Sequence, residues 1–219
     1  SYAEAAELAY FGARILHPRT VEPVRGKKIP IAIKNTLAPD GAHSVIRSRS
    51  PRRRQVVKSV AYANDIGVLK VHASGVGARP GILAQVAGAV SEQGVNIKSV
   101  VTSQTCISLL LARADMEKAH EGLKASRPRP YRRIETVADI ALISIVGEGL
   151  RDRQGIAARC FTAVADCNVN VEMISFGPSP AALYFLCREK DIDAAVTAIH
   201  STFFGAPRCL LGPSGRVAP

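Results

Sequence analysis

The sequence predicts an α+β fold made of two units, each with the element order βαββαβ. The first observation behind this prediction is an internal repeat, because residues 68–111 recur without a gap as residues 142–185, with 10 of 44 aligned positions identical. The second is that both copies alternate short aliphatic runs with a stretch of helical periodicity. The third is a spare strand-like segment before the first copy and a missing strand after the second, which indicates that the units are interleaved.

A short N-terminal segment precedes the repeats and begins with a helix signal. Ser1 and Glu4 have the spacing of a capping box, in which each side chain bonds the backbone N–H of the other residue. This pair predicts a helix that runs to about Phe11. Gly12 follows, and glycine is the residue that most often ends a helix.

The rest of the N-terminal segment predicts a loop, a strand and a turn. His17 and Pro18 are expected in the loop after the first helix. Histidine can act as a general base, but no second catalytic group lies near His17, so a structural role is expected for it. The aliphatic run at 29–34 predicts a buried strand, and residues 39–41 predict a turn.

Both copies of the repeat contain the same predicted elements in the same order. The predicted strands are residues 68–71, 96–101, 106–112 and 131–137 in the first unit, and 142–146, 170–176 and 181–187 in the second. The first helix of each copy has one apolar stripe, formed by Ile82, Leu83, Val86, Ala87 and Val90, and by Ile156, Ala157, Cys160, Phe161 and Val164. The second helices are predicted over residues 116–123 and 192–203.

A count of the strands predicts how the two units are connected. The first unit has its own closing strand, whereas the second unit ends after Phe204 without one. The strand-like segment 56–63 supplies the missing strand, so the first unit is inserted into the second. The predicted domains are residues 1–46 for the N-terminal segment, 47–55 for a basic linker, 66–137 for the first unit, 56–64 plus 139–205 for the second unit, and 206–219 for a flexible tail.

The chain is strongly basic, with 29 Lys and Arg residues against 18 Asp and Glu residues and a net charge of +11. Much of this charge lies in two clusters at 47–54 and 127–133, and basic clusters attract phosphates or nucleic acid. Sheets of this type that bind RNA stack bases on aromatic side chains, and no Phe, Tyr or Trp occurs between Ala63 and Pro130. No specific nucleic-acid partner is expected, and both clusters are interpreted as solvated surface.

The five cysteines include no C-x-x-C pair and lie mostly in apolar runs. They are expected to be buried, reduced thiols without a metal, as is typical of a cytoplasmic protein. No apolar run is long enough to span a membrane, so no membrane partner is expected. The chain starts at Ser1 without Met, so the absence of a targeting signal carries little weight.

Four motifs carry a resemblance to a known family. They are residues 1–20 (SYAEAAELAYFGARILHPRT), 96–104 (NIKSVVTSQ), 170–175 (NVEMIS) and 198–204 (AIHSTFF). The two units resemble the ACT domain, a small ligand-sensing module with a ferredoxin-like fold, and the pair resembles the C-terminal regulatory region of aspartate kinase. The resemblance implies that residues 1–46 are a remnant of an amino-acid-kinase α/β domain, that two interleaved ACT domains follow it, and that the chain forms a homodimer through them.

The resemblance also implies an activity for the full enzyme. Aspartate kinase transfers phosphate from MgATP to L-aspartate and forms 4-phospho-L-aspartate, in the first step of lysine, threonine and methionine biosynthesis. This sequence lacks the Lys-Phe-Gly-Gly-Thr-Ser type of motif that opens those kinases, and it contains no P-loop and no Ser/His/Asp set. We expect no catalytic residues, no cofactor and no phosphoryl transfer from this chain alone, with the catalytic part supplied in cis or in trans. The alternatives are an active kinase subunit once that part is joined, or an ACT assembly module that senses no ligand.

An amino-acid effector needs N–H donors for its carboxylate and oxygen acceptors for its ammonium. A helix N-terminus behind a glycine turn supplies such donors, and this pattern occurs twice, at 75–83 and 149–157. Asn96 and Asn170, predicted at the start of the next strand, can accept from the ammonium, or they are turn residues that bond their own backbone. The predicted effector-binding residues are Gly75, Val76, Gly77, Ala78, Arg79, Gly81, Ile82, Leu83, Asn96, Ile97, Lys98, Thr102, Ser103 and Gln104 in the first unit, and Gly149, Asp152, Gly155, Ile156, Ala157, Asn170, Val171, Glu172 and Ser175 in the second.

The identity of the effector follows from charge. The resemblance implies that the effector lies between the first loop and the second strand, at an interface between ACT units, and that lysine-sensing relatives carry acids there. The first unit has Lys98 and Gln104 at these places, and a cation opposite the lysine ammonium is unfavourable, so threonine is favoured over lysine. The second unit has Glu172, so it is expected to bind a different ligand or none, and residues 178–180 weaken the case for a working site.

Overall fold

The computed structural model describes residues 1–13, 15–49, 56–129 and 131–205. The chain divides into two compact bodies, one formed by Ser1–Ala63 with the chain from Leu142 onward, and the other by Asn64–Ala141. Residues 50–55 of the predicted linker and the predicted tail 206–219 lie outside the described residues. None of the helices in the described ranges has both the length and the apolar character that a bilayer crossing requires.

The N-terminal segment contains two helices and a two-stranded sheet: α1 (Tyr2–Tyr10), α2 (Pro18–Lys27), β1 (Ile31–Ile33) and β2 (Ser44–Ile46). The predicted capping box at the start of α1 is confirmed, since Ser1 and Glu4 bond each other's backbone. The prediction of a loop at His17-Pro18 is wrong. His17 is the N-cap of α2, where its Nδ1 accepts the Arg19 N–H at 3.2 Å, and Pro18 occupies the first turn.

The strand predicted over residues 29–34 is shorter than expected and is not fully buried. Ala32 is exposed, and Ile31 and Ile33 are half-buried against Tyr2 and Val21. The prediction of a buried strand is wrong because only one face of the two-stranded β1–β2 sheet packs against Tyr2 and Val21, and the other face is open to solvent.

Strand β3 (Ser59–Ala63) comes next in the chain, and the first repeat then forms its own sheet. Its elements are β4 (Ile66–His72), α3 (Ile82–Ser91), β5 (Ser99–Thr102), β6 (Cys106–Ala112), α4 (Met116–Ala125) and β7 (Arg133–Val137). The strand order is β5-β6-β4-β7, and β4 is antiparallel to both neighbours, with Leu69 opposite Leu109 and Thr136. Alternate residues of β4 and β6 pack against α3 and α4. The strands contribute Leu69, Val71, Ile107 and Leu109, and the helices contribute Val86, Val90 and Leu123.

The second repeat forms a sheet that recruits β3. Its elements are β8 (Ala141–Val146), α5 (Ile156–Asp166), β9 (Met173–Phe176), β10 (Ala182–Cys187) and α6 (Ile192–Phe204). The strand order is β3-β8-β10-β9, and β3 runs antiparallel to β8 with Ser59 opposite Val146. Every residue of β8 and β10 is buried. The predicted fold class, two interleaved βαββαβ units behind a helix–strand segment, is therefore confirmed.

The described cysteines are free thiols of two kinds. Cys160 and Cys187 are fully buried, whereas Cys106 and Cys167 are half-buried, so the expectation of burial is wrong for the latter pair. Burial raises the pKa of Cys160 to about 12. Burial, with the Asp191 charge, raises the pKa of Cys187 to about 11. The two core thiols are thus unreactive packing groups at neutral pH.

The basic cluster at 127–133 is used in part as a helix cap. Arg127 NH1 donates to the carbonyls of Lys124 and Ser126, at 3.0 and 2.8 Å. Arg129 NH2 donates to the Lys124 carbonyl at 2.5 Å. The last carbonyls of a helix lack intrahelical partners and attract cations. Two arginines of this cluster therefore stabilise the end of α4. The interpretation of the cluster as solvated surface did not include this capping role.

Candidate functional site

The loops in front of α3 and α5 share one backbone design. Gly75 and Gly81 have φ of +77° and +89°, and Gly149 and Gly155 have φ of +88° and +79°. Gly81 and Gly155 are the N-caps of α3 and α5, and in the described structure neither helix start has a side-chain cap. The first-turn N–H groups of both helices are therefore available to an anion.

The first loop uses several of its own N–H groups internally. The Arg79 and Ala78 N–H groups donate to the Gly75 carbonyl at 2.8 and 3.0 Å, and the Val76 N–H donates to the Gln104 carbonyl at 3.1 Å. These three N–H groups close the turn, and an effector-binding role for Val76, Ala78 and Arg79 stays a prediction. The donors that remain for a carboxylate are those of the first turn of α3, after Gly81.

The structure brings this loop together with the turn between β5 and β6. Besides accepting the Val76 N–H, Gln104 places its Oε1 2.9 Å from where a Cβ on Gly77 would stand. Thr102, Ser103 and Gln104 are exposed, and Ser103 Oγ accepts the Thr105 N–H at 3.3 Å within the turn. Gln104 is thus a direct neighbour of the loop. A residue that contacts an effector bound at this loop must lie this close to it.

The two asparagines do not stand at strand starts. β5 begins at Ser99 and β9 at Met173, so Asn96 and Asn170 lie in the preceding connections, where both are exposed. Their predicted position is wrong because ladder pairing resumes only later, with the Lys98 N–H on Leu110 and the Glu172 N–H on Leu186. Ile97, Lys98, Val171 and Ser175 are half-buried beside them. An effector-binding role for these residues stays a prediction.

The second loop differs from the first in its contacts. Arg151 NH1 donates to the Gly177 carbonyl at 3.1 Å and so ties the loop to the turn between β9 and β10. Asp152 is exposed. The Glu172 carboxylate lies 3.0 Å from Arg188 Nε. Glu172 is therefore already neutralised, which weakens it as a partner for a lysine ammonium.

One cluster on α4 was not predicted. Glu117, His120 and Glu121 have ligand-type atoms within 4.8 Å of one another. Their i, i+3, i+4 spacing was visible in the sequence. Glu121 is also paired with Lys124 at 3.1 Å, and both glutamates are exposed. These features are those of an ordinary charged helix surface, so the cluster by itself does not indicate a metal site.

Comparison with known proteins decides the family. The model of the ACT domain family matches residues 69–126 and 143–203, which are the two repeats. The chain belongs to the ACT domain family. ACT domain 1 is hereafter the first repeat with its sheet, and ACT domain 2 is the second repeat with β3.

Two sequence relatives place these ACT domains beside aspartokinases. The bifunctional aspartokinase/homoserine dehydrogenase of Haemophilus influenzae is 30% identical over 211 residues, which cover 93% of this chain and 26% of the relative. Aspartokinase 1 of Arabidopsis thaliana, a chloroplastic protein, is 29% identical over 93% of this chain and 37% of the relative. The chain thus spans well under half the length of these relatives.

Three solved structures agree with this placement. Aspartate kinase of Clostridium acetobutylicum has a TM-score of 0.84 at 26% identity, over 92% of this chain and 47% of the other. The regulatory subunit of aspartate kinase from Thermus thermophilus has a TM-score of 0.63 at 26% identity, over 68% and 99%. Escherichia coli aspartokinase III, solved with lysine and aspartate, has a TM-score of 0.75 at 25% identity, over 93% and 45%. The predicted resemblance to the regulatory ACT region of aspartokinases is confirmed.

Proposed function

We propose that this chain is the amino-acid-sensing region of an aspartate kinase and that ACT domain 1 binds threonine in preference to lysine. The observation that carries the proposal is the uncapped N-terminus of α3 behind Gly81, facing a loop that Gln104 ties to the β5–β6 turn. The first-turn N–H groups of α3 would hold the effector carboxylate. The joined catalytic part, in cis or in trans, would use MgATP to phosphorylate L-aspartate in the cytoplasm, and this chain would regulate that reaction.

The preference for threonine rests on the charges around the loop. Lys98 is half-buried near the start of β5, and Gln104 lies over Gly77. A lysine effector would bring its ammonium towards Lys98 without a carboxylate to receive it, which is unfavourable at short range. A threonine hydroxyl needs only neutral hydrogen-bond partners, and the Gln104 amide and the Thr102 and Ser103 hydroxyls can provide them.

Association of two chains through the ACT domains is part of the proposal. β5 and β9 are edge strands of their sheets, and edge strands present unpaired backbone groups. Val100 on β5 is 38% exposed, and Ile174 and Phe176 on β9 are 49% and 40% exposed. Apolar residues on an open edge favour pairing with a second copy. Regulation then follows if the effector binds one arrangement of the dimer better than another.

Substitution of the two cap glycines tests where the effector binds. Gly81→Ala is expected to lower threonine affinity about tenfold. Alanine disfavours a φ of +89°, so the turn would change its conformation, and the N–H groups that donate to the effector carboxylate would move away from it. Gly155→Ala is the matched control, since Gly155 also has positive φ and open space around it. This control is expected to change threonine affinity by less than about twofold, because it strains only ACT domain 2. Calorimetric titration of the 219-residue chain and both variants gives the affinities. Equal losses in both variants, or a loss only in Gly155→Ala, would contradict the assignment to ACT domain 1.

A further inference from the structure

Helix α1 approaches ACT domain 2 with two acidic side chains. Glu4 and Glu7 are three residues apart, so they lie on the same face of the helix. Glu4 is 5% exposed, which is rare for a carboxylate unless it is paired. All of these residues belong to one compact body. The hydrogen-bond partners of both carboxylates can therefore be described within that body.

Glu4 holds the start of the second loop. Its Oε1 accepts the N–H of Glu148 at 2.7 Å, and Glu148 directly precedes Gly149, the first positive-φ residue of the loop. Lys58, just ahead of β3, places its Nζ 3.1 Å from the same carboxylate. The Glu4 carboxylate thus joins α1, the approach to β3 and the loop that follows β8.

Glu7 holds the turn between β9 and β10. Its Oε1 accepts the Ser179 hydroxyl at 2.7 Å, and Ser179 Oγ in turn accepts the Ala181 N–H at 3.1 Å. The loop and the turn are joined to each other, because Arg151 NH1 donates to the Gly177 carbonyl. Helix α1 therefore touches both of the segments that border the equivalent of the effector position in ACT domain 2.

Ring packing fixes the end of α1 on the same domain. Phe11 is 4% exposed, and its ring lies 4.9 Å from the ring of Tyr184 on β10. Gly12 is so close to β3 that a Cβ would stand 2.7 Å from the Tyr62 carbonyl. With this end packed, a displacement of the loop or the turn has to be transmitted to α1 or has to break the bonds of Glu4 and Glu7.

We propose that α1 is a clamp on ACT domain 2, with Glu4 on its first loop and Glu7 on its β9–β10 turn, and that this clamp carries changes in the regulatory region into the N-terminal segment. The regulatory meaning of the clamp rests on the proposed sensing function, whereas its mechanical part does not. In ACT domain 1 the corresponding loop and turn are joined directly, by the backbone hydrogen bond from the Val76 N–H to the Gln104 carbonyl. The clamp is thus a device of ACT domain 2, separate from the threonine site proposed in ACT domain 1.

A pair of serine substitutions tests the mechanical part. Ser179 and Ser103 each accept the N–H two residues ahead in a strand-connecting turn, and Ser179 also donates to Glu7. Ser179→Ala is expected to speed amide exchange across residues 2–11 by about three- to tenfold, the range that corresponds to one lost hydrogen bond. Ser103→Ala is expected to leave that exchange unchanged. Hydrogen exchange followed by mass spectrometry of the full chain measures both.

Substitution of Glu7 distinguishes loss of the Glu7–Ser179 hydrogen bond from a change confined to the β9–β10 turn. Glu7→Ala is expected to match Ser179→Ala, their double variant is expected to be no worse than either, and Glu7→Gln, which keeps an acceptor, is expected to stay near the unmodified chain. Unchanged exchange of α1 in Ser179→Ala, equal acceleration in Ser103→Ala, or fully additive effects would each overturn the clamp.

Addition of threonine separates the clamp from the sensing function. If threonine binds, it is expected to change α1 exchange in the unmodified chain, and Ser179→Ala is expected to reduce that change. Threonine binding with no change in α1 exchange would overturn the regulatory part of the clamp. If calorimetry shows no threonine binding, the proposed function fails, while the contrast between Ser179→Ala and Ser103→Ala still decides whether the clamp exists.

Discussion

Gly147→Ala is expected to destabilise the body that contains ACT domain 2 by about 3 kcal/mol, the upper range for forced overpacking. A Cβ on Gly147 would stand 2.0 Å from the Val56 carbonyl oxygen and 2.9 Å from its carbon. Both are backbone atoms of the segment that leads into β3, so no side chain can rotate away. The clash is relieved only if that segment moves away from the end of β8, where the Lys58 N–H bonds the Val146 carbonyl.

A second glycine provides the matched control for Gly147→Ala. Gly88 lies within α3, and a Cβ there would meet no atom within 4 Å. Gly88→Ala is expected to stabilise the chain by about 0.5–1 kcal/mol, because alanine is the better helix former. Urea unfolding followed by circular dichroism measures both variants. A Gly147→Ala variant with an unchanged midpoint would show that β3 and β8 are not joined as described, and would remove the basis for the interleaved topology.

Glu4→Ala is expected to lower the free energy of unfolding by about 2–4 kcal/mol, because it removes the acceptor that a backbone N–H shares with a partly buried ammonium. The N–H is that of Glu148, and the ammonium is that of Lys58. Glu4→Gln keeps an oxygen for the Glu148 N–H and loses the ion pair, so its cost is expected to lie between those of the unmodified chain and Glu4→Ala. Equal stability of all three proteins in urea unfolding would contradict the role given to Glu4.

The pH dependence of stability gives an independent check on Glu4. Burial alone would raise its pKa, but hydrogen bonds from the charged nitrogen of Ser1, the Glu148 N–H and Lys58 outweigh burial and hold the pKa below its usual value of 4.5. A carboxylate with a lowered pKa in the folded state contributes stability that is present above about pH 4.5 and is lost as pH falls through the folded-state value. Glu4→Gln is expected to unfold with a flatter pH dependence in that acid range.

The architecture could be predicted because its signals are local and repeated. The glycine turns, the apolar stripes and the aliphatic runs each recur at the same spacing. The extra strand at 56–63 matched the one strand that the second unit lacked. Helix α2 was missed because its sequence contains Pro23 and has only two aliphatic residues, Val21 and Val24, although His17 and Pro18 gave a correct N-terminal signal.

The details of the candidate site depend on partners that are distant in the sequence. Glu172 is neutralised by Arg188, which directly follows β10, and the Val76 N–H is bonded to the Gln104 carbonyl in the β5–β6 turn. The bond between Glu4 and Glu148 joins residues 144 positions apart. Periodicity reports which face of an element is buried, but it does not report which polar groups meet across elements, so these pairs could not be predicted from the sequence.

Calorimetric titration of the unmodified 219-residue chain with threonine and then with lysine, at matched pH and salt, tests the central claim most directly. Light scattering on the same samples reports the oligomeric state. Saturable threonine binding to a dimer, with no heat from lysine, is the predicted result. Lysine binding without threonine binding would contradict the specificity assigned to Lys98 and Gln104, and binding of neither would contradict the sensing function.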